Sequence, residues 1–129
     1  MIYLTPEQIL FIHARLISIT GGSHGVRDIG LLASAVYRPQ VTFDDQELYP
    51  DLFTKVAALM ESLITNHPFI DGNKRTGLTA AGMFLVVNGR KLIATAEDAE
   101  EISLRVAKNE IELKDLALWF DQNSIQEKI

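Results

Sequence analysis

Apolar residues recur at helical spacing along most of the chain, and the polar residues between them mark where helices begin and end. Thr5, Pro6 and Gln8 form a capping-box start with proline at the first helical position. Ile9, Ile12, Leu16 and Ile19 then predict a first helix to about Ser18. The segment TGGSHGVRDIG holds too many glycines to stay helical, and Asp28 is placed to cap a short second helix, IGLLASAVYR, that Pro39 stops. Residues 39–50, PQVTFDDQELYP, carry a proline at each end and alternate at Val41 and Phe43, which predicts an extended flap or small hairpin.

From Asp51 two apolar stripes run together, Leu52, Val56, Leu59, Leu63 and Phe53, Ala57, Met60, Ile64, so this helix is expected to be buried on both sides at the centre. Leu78, Ala81 and Leu85 mark a fourth helix that ends at Asn88-Gly89, after which RKLIA reads as a brief extended piece. Thr95 with Asp98 opens a fifth helix to about Lys108, and Leu113, Leu116, Ala117 and Phe120 mark the sixth. The acidic run EDAEE is a solvated helix face, and Trp119 and Phe120 are core candidates. The expected fold is all-α, a single compact domain of about six helices with a short flap, spanning 1–129.

Composition narrows the setting. The apolar fraction is 47%, yet no apolar run approaches the roughly 18 residues of a membrane span. MIYLTPEQIL lacks the basic leader and apolar stretch of a secretory signal, so the expected location is the cytoplasm. There is no cysteine, which removes disulfides and thiolate chemistry, and a net charge of −5 argues against general nucleic-acid binding. The three histidines share no metal-ligand spacing. His13 falls on the apolar face of the first helix and reads as a packed, hydrogen-bonded residue. His24 reads as surface, and Arg27 either approaches a ligand or pairs with an acid.

The joint between the third and fourth helices, NHPFIDGNKRTG, concentrates His67, Asp71, Asn73, Lys74 and Arg75 around Gly72. With Asn73 as N-cap, the first N–H groups of the following helix would lack carbonyl partners and, with Lys74 and Arg75, would suit an anion such as phosphate. Gly72 would allow close approach, and an imidazole, which titrates near neutral pH, would serve as base to a hydroxyl. Asp71 would coordinate magnesium or orient that base. The same residues are also compatible with a solvated connection carrying a good cap.

HPFIDGNKRTG resembles the signature of the Fic/Doc superfamily, H-P-F-x-D/E-G-N-G-R-x-x-R, and more closely that of its death-on-curing (Doc) branch, H-x-F-x-D-A/G-N-K-R-T. The stretches GGSHGVRDIGLLASAVYRP, ELYPDL and ELKDLALWF resemble that branch as well, so the likeness spans essentially the whole chain. The resemblance implies His67 as the base that activates a target hydroxyl and Asp71 as the acidic, magnesium-linked residue. It implies Gly72, Asn73, Lys74 and Arg75 as nucleotide-phosphate holders, with Lys74 also catalytic and Phe69 anchoring the loop. Lys74 stands where Fic enzymes have glycine, and Leu78 where they have a second arginine, departures that weaken AMP transfer. Ala33 stands where relatives commonly show glutamate.

In Doc-like proteins the lysine accompanies an inverted nucleotide and transfer of the terminal phosphate. The implied activity is therefore ATP- and Mg²⁺-dependent phosphorylation of a translation factor, elongation factor Tu, by a toxin whose partner is a Phd-like antitoxin. Fic-type AMP transfer and a non-catalytic phosphate-binding module are the alternatives. No Ser or Thr here is followed four positions on by Glu and then by Gly or Asn, the inhibitory pattern of many Fic proteins, so inhibition is expected from a separate chain.

Overall fold

The computed structural model describes residues 1–127; residues 128 and 129, the end of the domain expected over 1–129, lie outside the described residues. Helix α1 spans Pro6–Thr20, two residues beyond the expected stop. Its start is the predicted capping box, with the Thr5 hydroxyl accepting from Gln8 N–H and the Gln8 side chain accepting from Thr5 N–H. Helix α2, Ile29–Tyr37, begins where the Asp28 carboxylate accepts from Leu31 N–H, and it runs into a 3₁₀ turn at Arg38–Gln40. Six α-helices, the 3₁₀ turn and two short two-stranded ribbons account for the regular structure of the described residues.

Helix α3, Leu52–Thr65, is the centre. Val56, Ala57, Ala58, Leu59, Met60, Leu63 and Ile64 are all at most 1% exposed, because both of its apolar stripes find partners in α2, α4, α5 and α6. Helices α4 (Asn73–Val87), α5 (Ala96–Ala107) and α6 (Leu113–Gln122) present Ala80, Ala81, Phe84, Leu85, Ile102, Val106, Leu116 and Phe120 to it, and Trp119 packs half-buried at the margin. In EDAEE only Ala99 is buried, as a solvated face requires.

The flap is a hairpin of β1 (Thr42–Phe43) and β2 (Gln46–Glu47), turned by Asp44 and Asp45, both at positive φ as a two-residue hairpin turn demands. Its one buried tether is Lys55 of α3, 1% exposed, whose ammonium donates to the Pro39 carbonyl (3.1 Å) and Glu47 Oε1 (2.8 Å). Burial pulls the Lys55 pKa down. The Glu47 carboxylate and Tyr3 more than offset that, and the group stays above its ordinary value. The extended piece after Gly89 is β3, Arg90–Leu92, and it pairs antiparallel with β4, Ser124–Gln126, a strand the sequence pattern does not show.

Candidate active site

The joint between α3 and α4 is built mainly from backbone held by side chains. Helix α3 ends at Thr65, and two residues later His67 adopts φ = +49°, a conformation that costs a non-glycine residue about 1–2 kcal/mol. Pro68 follows and normally biases its predecessor toward extended backbone, so the turn needs external restraint. The glycine-rich loop supplies it. Val26 and Phe69 form an antiparallel bridge, Ile70 N–H donates to the Gly25 carbonyl (3.2 Å), and the N–H groups of Arg27 and Asp28 both donate to the Pro68 carbonyl (2.8 and 3.1 Å). The Arg27 side chain adds two bonds of 2.6 Å, Nε to the His67 carbonyl and Nη2 to the Asn66 carbonyl.

Beneath the loop, His13 is 4% exposed, stacks on Phe69 with ring centroids 3.8 Å apart, and bonds through Nε2 to the Asp71 carbonyl at 2.8 Å. It is the packed, hydrogen-bonded histidine expected; His24 is exposed, also as expected. Phe69, 1% exposed, is the anchor of the joint.

Asn73 corrects the expected cap. The N-cap of α4 is Gly72, at φ = +80°, and Asn73 is the first helical residue. Its amide faces backward, with Oδ1 accepting from Phe69 N–H and Nδ2 donating to the Phe69 carbonyl, both at 3.0 Å. That amide is spent on closing the loop, and what Asn73 offers an anion is its backbone N–H. Glycine suits position 72 for two reasons. The left-handed backbone is free only to glycine, and a Cβ there would stand 3.1 Å from Ile17 Cδ1.

The first helical hydrogen bond of α4 runs from Thr76 N–H to the Gly72 carbonyl, so the N–H groups of residues 73, 74 and 75 have no helical acceptor, at the positive end of the helix dipole. Lys74 is exposed and makes no ion pair among the described residues, while Arg75 is half-buried and donates to the Thr20 hydroxyl. Asp71 accepts from Ser23 N–H (3.2 Å, Oδ2) and from Gly72 N–H (2.8 Å, Oδ1). Those two bonds, the Ser23 one first, with the Arg75 and His13 charges behind them, hold its carboxyl below the usual carboxylate range. Close approach of the loop requires glycine at 22 as well, where a Cβ would stand 2.5 Å from Asp71 Oδ2.

The six residues singled out in the sequence therefore share one joint, which carries an ionised carboxylate, an exposed imidazole, two cations and three N–H groups without helical acceptors. The described residues contain no cluster of three or more His, Asp or Glu side chains able to hold a metal by themselves. A lone carboxylate is the donor set that suits Mg²⁺ arriving with phosphates and water, because that ion takes few protein ligands. Sequence reasoning missed the clasping roles of Arg27 and Asn73, and for His13 it gave the packing and a hydrogen bond but not the partner. The density of glycine in 21–25 was the available signal, since a loop with so few side chains packs through its backbone.

Beside Lys74 and Arg75 lies a mainly apolar recess of about 500 Å³ lined by Leu78, Ala96, Ala99, Glu100, Ser103 and Leu104 of α4 and α5. Leu4, Phe11, Ile12, Met83 and Val87, with Glu7 and Gln8 beside them, line a groove of about 330 Å³ between α1 and α4, with Phe11 67% exposed. No helix among the described residues is long and apolar enough to cross a membrane.

Comparison with known proteins agrees with this architecture. The family model described as "Fic/DOC family" matches residues 3–85. The chain is 46% identical over 99 residues to "Toxin Doc" of Mycolicibacterium smegmatis (strain ATCC 700084 / mc(2)155), covering 75% of this chain and 76% of that protein. It is 32% identical over 117 residues to "Protein kinase doc" of Escherichia phage P1, covering 91% of each.

Proposed function

This chain belongs to the Fic/DOC family, and on that premise we propose that it is the toxin of a toxin–antitoxin pair and acts as a protein kinase, moving the γ-phosphate of ATP to a hydroxyl of a translation factor, elongation factor Tu. The observation that carries the reading is the start of α4. Three acceptor-less N–H groups, Lys74 and Arg75 converge there on the same joint as His67, whereas phosphate binding alone needs no base.

His67 accepts the proton of the target hydroxyl as its oxygen bonds to the γ-phosphorus and the bond to the β-bridging oxygen breaks, releasing ADP. Lys74, Arg75 and the N–H groups of 73–75 stabilise the charge spread over the transferring oxygens. Asp71, ionised throughout the neutral range, would hold Mg²⁺, and that ion would neutralise phosphate charge. The apolar recess next to Lys74 has the chemistry for a nucleoside beside a phosphate site. Leu78 lines that recess where AMP-transferring relatives place a guanidinium, which supports phosphate rather than AMP as the group moved.

The groove between α1 and α4 supports the reading of an external inhibitor. Its apolar lining and exposed Phe11 fit the apolar face of an antitoxin segment that folds as it binds, of the Phd-like kind. The deciding experiment supplies the purified protein with Mg²⁺, a translation extract and ATP labelled at either the γ- or the α-phosphate. Label on elongation factor Tu from the γ position alone is the expected result. Label from the α position would replace the kinase by an AMP transferase, and no label from either would leave a phosphate-binding module.

A further inference from the structure

We infer that Arg27 is the positioning residue for His67, holding the histidine's backbone in its left-handed conformation so that the imidazole projects from a fixed turn. The inference rests on the proposed role of His67 as base. Three consecutive carbonyls, those of Asn66, His67 and Pro68, are gripped by this one residue. Its Nη2 takes the first and its Nε the second, both at 2.6 Å, and its backbone N–H takes the third at 2.8 Å.

The grip is anchored at both ends. On one side the bridge between Val26 and Phe69 fixes the strand-like approach. On the other, Asp28 caps α2 through Leu31 N–H and adds a second N–H to the Pro68 carbonyl. Charge reinforces it, because the carbonyls of 66 and 67 follow directly on the C-terminus of α3, the negative end of that helix.

The other roles open to Arg27 fit less well. It forms no ion pair with Asp28 or any other acid among the described residues. Two of its five guanidinium N–H groups already donate to backbone carbonyls at 2.6 Å, and those two bonds fix the plane of the fork against the joint. Without the fork, a histidine followed by proline reverts toward extended backbone, and the imidazole is displaced relative to the α4 N-terminus.

The test compares Arg27→Met, Arg27→Lys and the unaltered protein on two readouts. A strong amide-to-α-proton nuclear Overhauser effect within His67 reports positive φ in the free protein, and phosphate-transfer kinetics report turnover separately from KM for ATP. Arg27→Met is expected to lose the strong effect at His67, keep its KM for ATP, and lose about 100-fold in kcat, the scale of an ångström-sized misplacement. Arg27→Lys keeps the charge without the fork and is expected to recover only part of kcat. Should Arg27→Met fail to fold, Arg27→Lys carries the same comparison.

A His67 signal unchanged in both variants would overturn the inference, and a loss confined to ATP affinity would reassign Arg27 to the nucleotide. If the unaltered protein transfers no phosphate, the functional reading falls, while the proton signal still decides whether Arg27 sets the His67 backbone.

Discussion

The joint and the flap both turn the chain with non-glycine residues at positive φ, His67 in one and Asp44 with Asp45 in the other, yet they are held in opposite ways. In the joint, side chains from two other segments, His13 and Arg27, reach in to bind backbone, Asn73 closes the loop from within, and the Ser23 and Gly72 N–H groups bind the Asp71 carboxylate. In the flap, all four strand residues are exposed, Phe43 is 75% exposed, and a single buried ammonium ties the hairpin down. Polar groups are spent inward in the joint and left facing outward in the flap. The same polar residue type therefore does different work in the two places, and substitutions separate them.

The largest effect is expected at His67. Replacing it by alanine removes the proposed general base, an effect of about 10²- to 10⁴-fold, at an exposed position. Growth arrest on expression should disappear with the melting temperature unchanged; arrest at full strength would take His67 out of the reaction.

Asn73→Leu, similar in shape, breaks the opposite way. It strands the Phe69 N–H and carbonyl in a partly buried place, so unfolding free energy should fall by about 2–3 kcal/mol along with activity. Chemical denaturation checks this, and unchanged stability would mean that the clasp does not hold the joint.

At the flap the effect should be asymmetric. Glu47→Ala leaves the buried Lys55 ammonium with the Pro39 carbonyl and the neighbouring Tyr3 but no carboxylate, a loss of about 2 kcal/mol after allowing for the half-exposed carboxylate. Lys55→Met removes the charge itself and should stay within about 1 kcal/mol of the original protein. Equal losses in the two denaturation curves would show that packing around Lys55, not its charge, sets the tether.

The smallest effect is a pH dependence. Because the folded pKa of Asp71 is depressed, its contribution is fully present above the ordinary carboxylate value of about 3.9 and is lost as pH falls through the lower, folded value. The stability difference between the unaltered protein and Asp71→Asn should therefore be flat from neutral pH to about pH 4 and shrink below it. A difference that grows on acidification would reverse the sign of the shift.

What the sequence makes legible is what is local. Thr5, Asp28 and Thr95 cap their helices as the pattern predicts, and the double apolar stripe of α3 announces its burial, because caps and stripes involve residues three or four apart. Asn73 defeats the same logic. Asparagine before a helix signals a cap, but here its amide is drawn back to Phe69 by the loop's closure, and Gly72 takes the cap through its backbone conformation. Arg27 stays undecided in the sequence since its partners lie 39 and 40 residues away. The β3–β4 ribbon is hidden because three residues pair with three others 32 to 36 positions on, too short a run for alternation to register. The residues of the candidate site were legible as a group through their motif, and the division between those that face outward and those that hold the loop was not.

The bond from His13 to Asp71 joins residues 58 positions apart, and those from Arg27 join residues about 40 apart. Contacts so distant along the chain form late, after the entropy of closing the intervening loops has been met. During synthesis, the first 28 residues must wait for the segment at 66–73 to leave the ribosome before the His67 turn is fixed. A shortened chain beginning at Ile29 would retain every residue of the HPFIDGNKRTG motif and the Asn73 clasp within it, but neither Arg27 nor His13, so the joint is fully held only after both halves have met.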